Sequence, residues 1–330
     1  MANEKAKKRQ FQEVRAKRET VPLWIALVGP SGSGKTYSAL RLATGIAQVS
    51  SGDVFVIDTE GRRALHYADT FKFLHIPFGE PFRSLDYLDA VRHCVSRGAR
   101  VVIIDSASHE HEGEGGYLRL QEEEYVRMGA NEQSRLRSWV RPSSERRAMI
   151  NGLLQLNVHM IWCFRSKEKA GMRRAANGKM EVTNLGWMPI AGESLVYEMT
   201  ASCLLLPRSG GIPTWSSNAP GELSTMKLPT QFYGVLSDGT ALSEMHGNTL
   251  AQWAAGASTE HGKETKKAKK AQEPSYPPEY KEGAILLREA AALGTPKLKE
   301  TWGKMTRYEK SGLREFLDKV CKPMAERVTA

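Results

Sequence analysis

Gly29-Pro30-Ser31-Gly32-Ser33-Gly34-Lys35-Thr36 is the stretch that decides the fold. It fits G-x-x-x-x-G-K-[ST], the pattern of a loop that cradles phosphates. Its surroundings agree with the pattern. Leu23 to Val28 (LWIALV) holds no polar residue, as a strand buried on both faces requires. After the loop, Tyr37 opens a helical pattern that sets Leu40, Leu42 and Ala43 on one side. A strand, a glycine-rich turn and a helix N-terminus together aim backbone N–H groups and the helix dipole at an anion. Glycine is needed where a Cβ would keep the backbone away from the phosphate. Lys35 is expected to reach the β- and γ-phosphates, and the Thr36 hydroxyl to hold Mg²⁺. The expected nucleoside triphosphate site thus runs through Gly29, Pro30, Ser31, Gly32, Ser33, Gly34, Lys35, Thr36 and Tyr37.

Two apolar runs downstream end in carboxylates. Val101 to Ile104 closes on Asp105, which suits a ligand of Mg²⁺ beside Thr36. Val54 to Ile57 (VFVI) leads into Asp58-Thr59-Glu60-Gly61, where Glu60 is the candidate base that orients the attacking water. In a parallel sheet such strand ends converge on one crevice. Asp105 could instead cap a helix and Glu60 could be a surface residue; the loop upstream favours the metal and base roles. Between the runs, Phe73 to Ile76 reads as a short strand. Ser84 reads as the N-cap of a helix with Leu85, Leu88, Val91 and Val95 on its apolar face, closed by Gly98. Further on, helices are expected over Tyr117 to Met128 and Ser144 to Leu156, and strands over His159 to Phe164 and Cys203 to Leu206. Helices alternating with buried strands predict an α/β fold with a mostly parallel, doubly wound sheet.

The bulk numbers bound the rest. A chain of 330 residues has room for one such domain and a smaller appendage. A net charge of +10 suits a polyanionic partner, or simply a soluble basic surface. Four dispersed cysteines without C-x-x-C spacing read as free thiols in a reducing compartment, with Cys163 and Cys203 buried in apolar runs. No apolar stretch reaches the ~18 residues of a membrane span, and the N-terminus lacks a signal-peptide core. A cytoplasmic protein with no membrane partner is expected. The chain divides into a basic arm (1–20), a nucleotide-binding core (21–255), a polar, lysine-rich linker (256–280) and a small helical C-terminal module (281–330). In that module Thr306 to Glu309 has the form of a capping box.

The set GPSGSGKT, VFVIDTEG and VVIIDS, in this order and spacing, resembles the ATPase core of RecA-type recombinases. That resemblance implies a RecA-like P-loop fold, ATP and Mg²⁺ as cofactors, and Glu60 as catalytic base. It also implies that Tyr67 stacks the adenine; a core-facing helix residue is the alternative. IWCF followed by a polar stretch and AGESLVYEMTASCLLLP resembles the sensor strand, second DNA-binding loop and following strand of that family. The family carries glutamine where Arg165 stands, so Arg165 is a candidate for direct phosphate contact. SASHEHEGEGGYLRL after Asp105 is similar to the short, phage-encoded RecA-like ATPases of the Sak-type single-strand annealing group. The resemblance covers roughly residues 22 to 210. It implies ATP-dependent binding of single-stranded DNA, a homo-oligomer in ring or filament form, and cooperation with a single-strand binding protein.

The residues themselves point the same way. Lys167, Lys169, Arg173, Arg174 and Lys179 cluster in the stretch 165–190, with Trp187 after them, which is the basic track and aromatic face that single strands require. A solvated basic hairpin is the alternative. Arg135 and Arg137, near Trp139, are candidates for a second DNA loop. His109, Glu110, His111, Glu112 and Glu114 lack the spacing of a metal motif and read as a polar loop near the γ-phosphate. The sum predicts a DNA-stimulated ATPase of recombination. A helicase or helicase-loading motor, a small-molecule kinase and a non-catalytic nucleotide-gated scaffold are the rival classes.

Overall fold

The phosphate-loop strand β1 (Trp24–Gly29) is buried along its whole length and feeds α1 (Lys35–Ser50). The chain continues through β2 (Asp53–Asp58), β3 (Leu74–Pro77), α2 (Ser84–Ser96) and β4 (Ala99–Asp105). Four helices follow, α3 (His109–Glu112), α4 (Tyr117–Arg127), α5 (Glu132–Arg137) and α6 (Val140–Leu153). Then come β5 (His159–Arg174), β6 (Met180–Pro189), α7 (Glu193–Tyr197) and β7 (Ala201–Leu204). Short helices α8 (Pro220–Thr225) and α9 (Tyr233–Leu236) precede α10 (Glu244–Ala254). This computed structural model describes residues 13, 15, 21–174, 180–217, 219–256, 280–322 and 325. Most of the expected basic arm and linker, Lys179, and the side chains of Arg173 and Arg174 lie outside the described residues.

The sheet order is β3-β2-β4-β5-β1-β7, with β6 pairing off the path against β5. All neighbours in the main path are parallel, as the alternating pattern predicts, and only β5 and β6 run antiparallel. Because side chains alternate along a strand, Leu23, Ile25 and Leu27 enter one core with Leu40, Leu42 and Leu250. Trp24, Ala26 and Val28 enter the other with Leu88, Val91, Met149 and Leu153. Helices therefore cover both faces, and the sheet is doubly wound. α1 and α10 touch backbone to backbone. A Cβ on Gly45 would stand 1.9 Å from the Glu244 carbonyl oxygen, and one on Gly247 2.1 Å from that of Leu42. Arg41 and Glu244 clasp the same pair of helices with an ion pair of 2.7 Å.

Three local expectations change. Ser84 is the first residue of α2, and Arg83 is its N-cap; the Ser84 hydroxyl donates to Glu110 Oε1 at 2.5 Å instead of capping. Leu85 is exposed, and Tyr87 and Cys94 take buried places with Leu88 and Val91. α6 starts at Val140 and accommodates Pro142 in its first turn, where a missing N–H breaks no helical bond.

Contacts divide the chain into Met1–Thr259 and Glu260–Ala330. The second unit contains helices Lys281–Ala292, Thr295–Lys304 and Arg307–Phe316. They enclose their own core of Leu287, Leu298, Leu313 and Phe316, with Trp302 and Val320 packed against it. Thr306 and Glu309 form the reciprocal capping box. Cys94, Cys163, Cys203 and Cys321 are free and buried. Among the described residues no helix is long and apolar enough to cross a membrane.

Candidate nucleotide site

Register brings the site together. Gly29 pairs with Arg165, Asp105 with Cys163, and Asp58 with Asp105, so the strand ends stand along one edge of the sheet. The loop that leaves β1 turns through Gly32 (φ 76°) and Gly34 (φ 89°), left-handed positions that favour glycine. At Gly29 a Cβ would lie 2.4 Å from the Leu205 carbonyl oxygen, so glycine is required there by packing as well. Gly34 is the N-cap of α1, and Lys35 and Thr36 are its first residues. Lys35 Nζ folds over the loop and donates to the Gly29 and Pro30 carbonyl oxygens at 2.9 and 2.8 Å. Burial pulls its pKa below the ordinary lysine value, against the pull of Asp105 and Glu60.

Thr36 Oγ1 donates to Asp105 Oδ2 at 2.5 Å. Burial pushes the Asp105 carboxyl up to about 6, the Thr36 hydrogen bond opposing it. A hydroxyl and a carboxylate held together at the mouth of an anion loop are the hard oxygen donors that suit Mg²⁺. That ion takes few protein ligands and completes its shell with water and phosphate oxygens. Among the described residues no group of three or more His, Cys, Asp or Glu is placed to hold a metal ion.

Glu60 stands opposite the loop, and both of its oxygens are engaged. Arg165 Nε donates to Oε1 at 2.7 Å and Arg63 Nη1 to Oε2 at 3.2 Å. Lys35, Thr36, Glu60, Asp105 and Arg165 line one cleft of about 580 Å³. Tyr67 lines it too, at the end of a 3₁₀ turn (Arg63–Tyr67), and also packs on the core. Tyr37 leans on Tyr67 with ring centroids 5.8 Å apart.

The residues after Asp105 are not the expected polar loop. Residues His109–Glu112 form one helical turn, and within it Glu110 is buried. Arg146 pairs with Glu110 at 2.8 Å and lies over the Tyr117 ring, 3.4 Å from its centroid. Glu110 and His111, whose Nδ1 lies 3.0 Å from Arg146 Nη2, therefore both meet α6. Glu112 alone among 109–112 reaches the cleft lining.

In the stretch 165–190, β5 runs on past the sheet and pairs antiparallel with β6, the hairpin form that stood as the alternative. Such an extension needs backbone partners rather than apolar side chains, so hydrophobicity gives no sign of it. Lys167 and Lys169 are exposed on β5, two and four residues beyond Arg165. Trp187 is half-buried against the core. Arg135 and Arg137 are exposed, but on α5 rather than on a loop.

Sequence reasoning missed Arg63, which lines the cleft, and Asp58 with His75, which lie behind Glu60. A carboxylate as the last residue of an apolar strand was the available signal for Asp58, since the same signal marked Asp105. Nothing in the sequence singles out His75. A family model described as an AAA domain matches residues 22–200. No curated protein matches the chain.

Proposed function

The chain belongs to the AAA domain family of P-loop ATPases, and on that premise we propose a Mg²⁺-dependent ATPase that binds single-stranded DNA in recombination or annealing. Lys35, Thr36 and Asp105 hold the nucleotide and its metal ion. Mg²⁺, when bound, neutralises charge on the phosphate oxygens. Glu60 takes the proton of the attacking water and orients it, once its oxygens are freed. Tyr67 borders the adenine.

The observation that carries the DNA half is the place of Arg165. It ends the sheet portion of β5, holds the Glu60 carboxylate at 2.7 Å, and continues directly into the strand bearing Lys167 and Lys169. A phosphate group in the cleft competes with Glu60 for this guanidinium. Arg165 then leaves the base free and shifts the root of the hairpin, so nucleotide state and hairpin position change together. Basic residues on a protruding hairpin supply the sequence-independent phosphate contacts of single-strand binding.

A homo-oligomer, ring or filament, belongs to the same proposal. Val126, Leu136 and Val140 support it, exposed by 69%, 81% and 68% at the α4–α6 corner beside Arg135 and Arg137. A single-strand binding protein is the proposed partner of the C-terminal unit. Leu298, Trp302 and Leu317 with Lys299 and Lys322 line a cleft of about 340 Å³ there, apolar with a basic rim. The test is fluorescence anisotropy of a labelled oligonucleotide at moderate salt, with and without ATP and Mg²⁺. Binding that changes with nucleotide is expected. No binding in either condition sinks the proposal.

A further inference from the structure

Glu60 sits on a turn that cannot hold itself. Gly61 and Arg62 follow with φ 69° and 70°, and a left-handed arginine is costly without outside support. The support is a carboxylate at the centre of the turn. Asp58 Oδ1 accepts the Glu60 N–H at 2.8 Å, and Oδ2 accepts the Ala64 N–H at 3.0 Å. His75 Nε2, on the edge strand β3, reaches the same Oδ2 at 3.1 Å. The Asp58 side chain is 1% exposed and that of His75 14%. Thr59, between Asp58 and Glu60, is fastened to β4 by its N–H to the Asp105 carbonyl oxygen and its hydroxyl to the Ser106 carbonyl oxygen. The backbone of Glu60 is thus fixed against the strand that carries Asp105. The Glu60 side chain is held only by its ion pairs with Arg165 and Arg63, and once these part it can turn towards water.

We propose that Asp58, oriented by His75, is the positioning residue for Glu60 in hydrolysis. It touches no substrate and acts through the Glu60 backbone. The inference rests on Glu60 being the water-orienting base, the role proposed above. A stabilising cap and a positioning device differ in what they change. A cap that only stabilises affects melting and nucleotide binding together. A positioning carboxylate affects turnover, because a shift of about 1 Å in a catalytic group costs on the order of 10²-fold in rate while leaving the phosphate loop intact.

The experiment uses the full chain with Mg²⁺, measuring steady-state ATP hydrolysis, affinity for a fluorescent ATP analogue, and thermal melting. Asp58→Ala is expected to lower kcat by about 10²-fold, with analogue affinity within about threefold of the parent. His75→Ala should lower kcat about tenfold, and His75→Gln, whose amide can still donate to Asp58, should return it to within about threefold. Should Asp58→Ala fail to fold, the two His75 variants on the edge strand decide alone. Unchanged kcat in the Ala variants overturns the inference, as does a parallel fall in kcat, affinity and melting temperature without rescue by glutamine. Glu60→Gln separates this from its premise. If that variant hydrolyses ATP normally, the assigned base is wrong and the positioning role falls with it. If it is inactive while Asp58→Ala turns over normally, only the positioning role is lost.

Discussion

Glu60 is held by two arginines that water also reaches, Arg165 at 38% and Arg63 at 65% side-chain exposure. Pairs of this kind contribute only about 0–1 kcal/mol each, so a phosphate can displace them. The opposite case is His159 on β5, buried and bound through Nδ1 to the Leu23 N–H at 3.1 Å. Burial pulls its pKa from 6.5 to about 4, with Arg100 adding to the effect. Protonation of Nδ1 would also leave the Leu23 donor without an acceptor. The unfolded chain takes up this proton near the ordinary value and the folded chain does not. The stabilising contribution is therefore complete above pH 6.5 and is lost as pH falls through 4. At about 1.36 kcal/mol per unit the loss is on the order of 3 kcal/mol. His111, also pulled down to about 4, acts with the same sign. In urea unfolding at pH 7.5 and 4.5, a span that covers about two of these pH units, His159→Gln should lose about 2.5 kcal/mol less than the parent on acidification. Equal losses would refute it.

Among the elements, the β5–β6 hairpin bears most directly on the proposal. Replacing Lys167 and Lys169 together by alanine should weaken binding of single-stranded oligonucleotides of every sequence. The slope of log affinity against log salt should fall by about 1.4, two contacts at roughly 0.7 each. An unchanged slope would remove the hairpin from the DNA path. This element also marks the limit of what the sequence could tell. The inner parallel strands were legible because a strand buried on both faces must be apolar throughout, as LWIALV and VVII are, whereas the edge strand β3 is partly exposed. The edge that gathers Thr36, Glu60, Asp105 and Arg165 lies where the same runs end: Asp105 closes β4, Arg165 follows the apolar part of β5, Glu60 comes two residues after β2, and Thr36 follows the loop that leaves β1. In the outer part of the hairpin Lys167, Lys169, Met172, Met180 and Val182 are all exposed, so this part carries no burial pattern. The Glu110–Arg146 pair was hidden for a related reason. Two charges that bury each other look, one at a time, like surface residues. Asp58 and His75 meet across β2 and β3, a pairing fixed by sheet register and invisible in linear spacing.

Across the whole molecule, two units that each have cores of their own imply two separate stabilities. Leu313→Ala removes a fully buried side chain from the C-terminal core and should cost that unit about 2–5 kcal/mol. Nucleotide affinity, which depends on the first unit, should be unchanged, and titration of the variant with an ATP analogue checks it. A fall in affinity would show that the cores are not independent. The first unit has no such seam within it. Its family match ends at residue 200, yet β7 and α10 come later in the chain. Where α10 lies on α1, no side chain separates Gly45 from the Glu244 carbonyl. A gene fragment trimmed to the matched residues would lose β1's outer hydrogen-bonding neighbour and open a glycine-floored trough along the helix that starts with Lys35. Recognisable ancestry and foldable length are thus different quantities in this chain. Any graft of its nucleotide site onto another protein has to carry the helix at Glu244–Ala254 along with it.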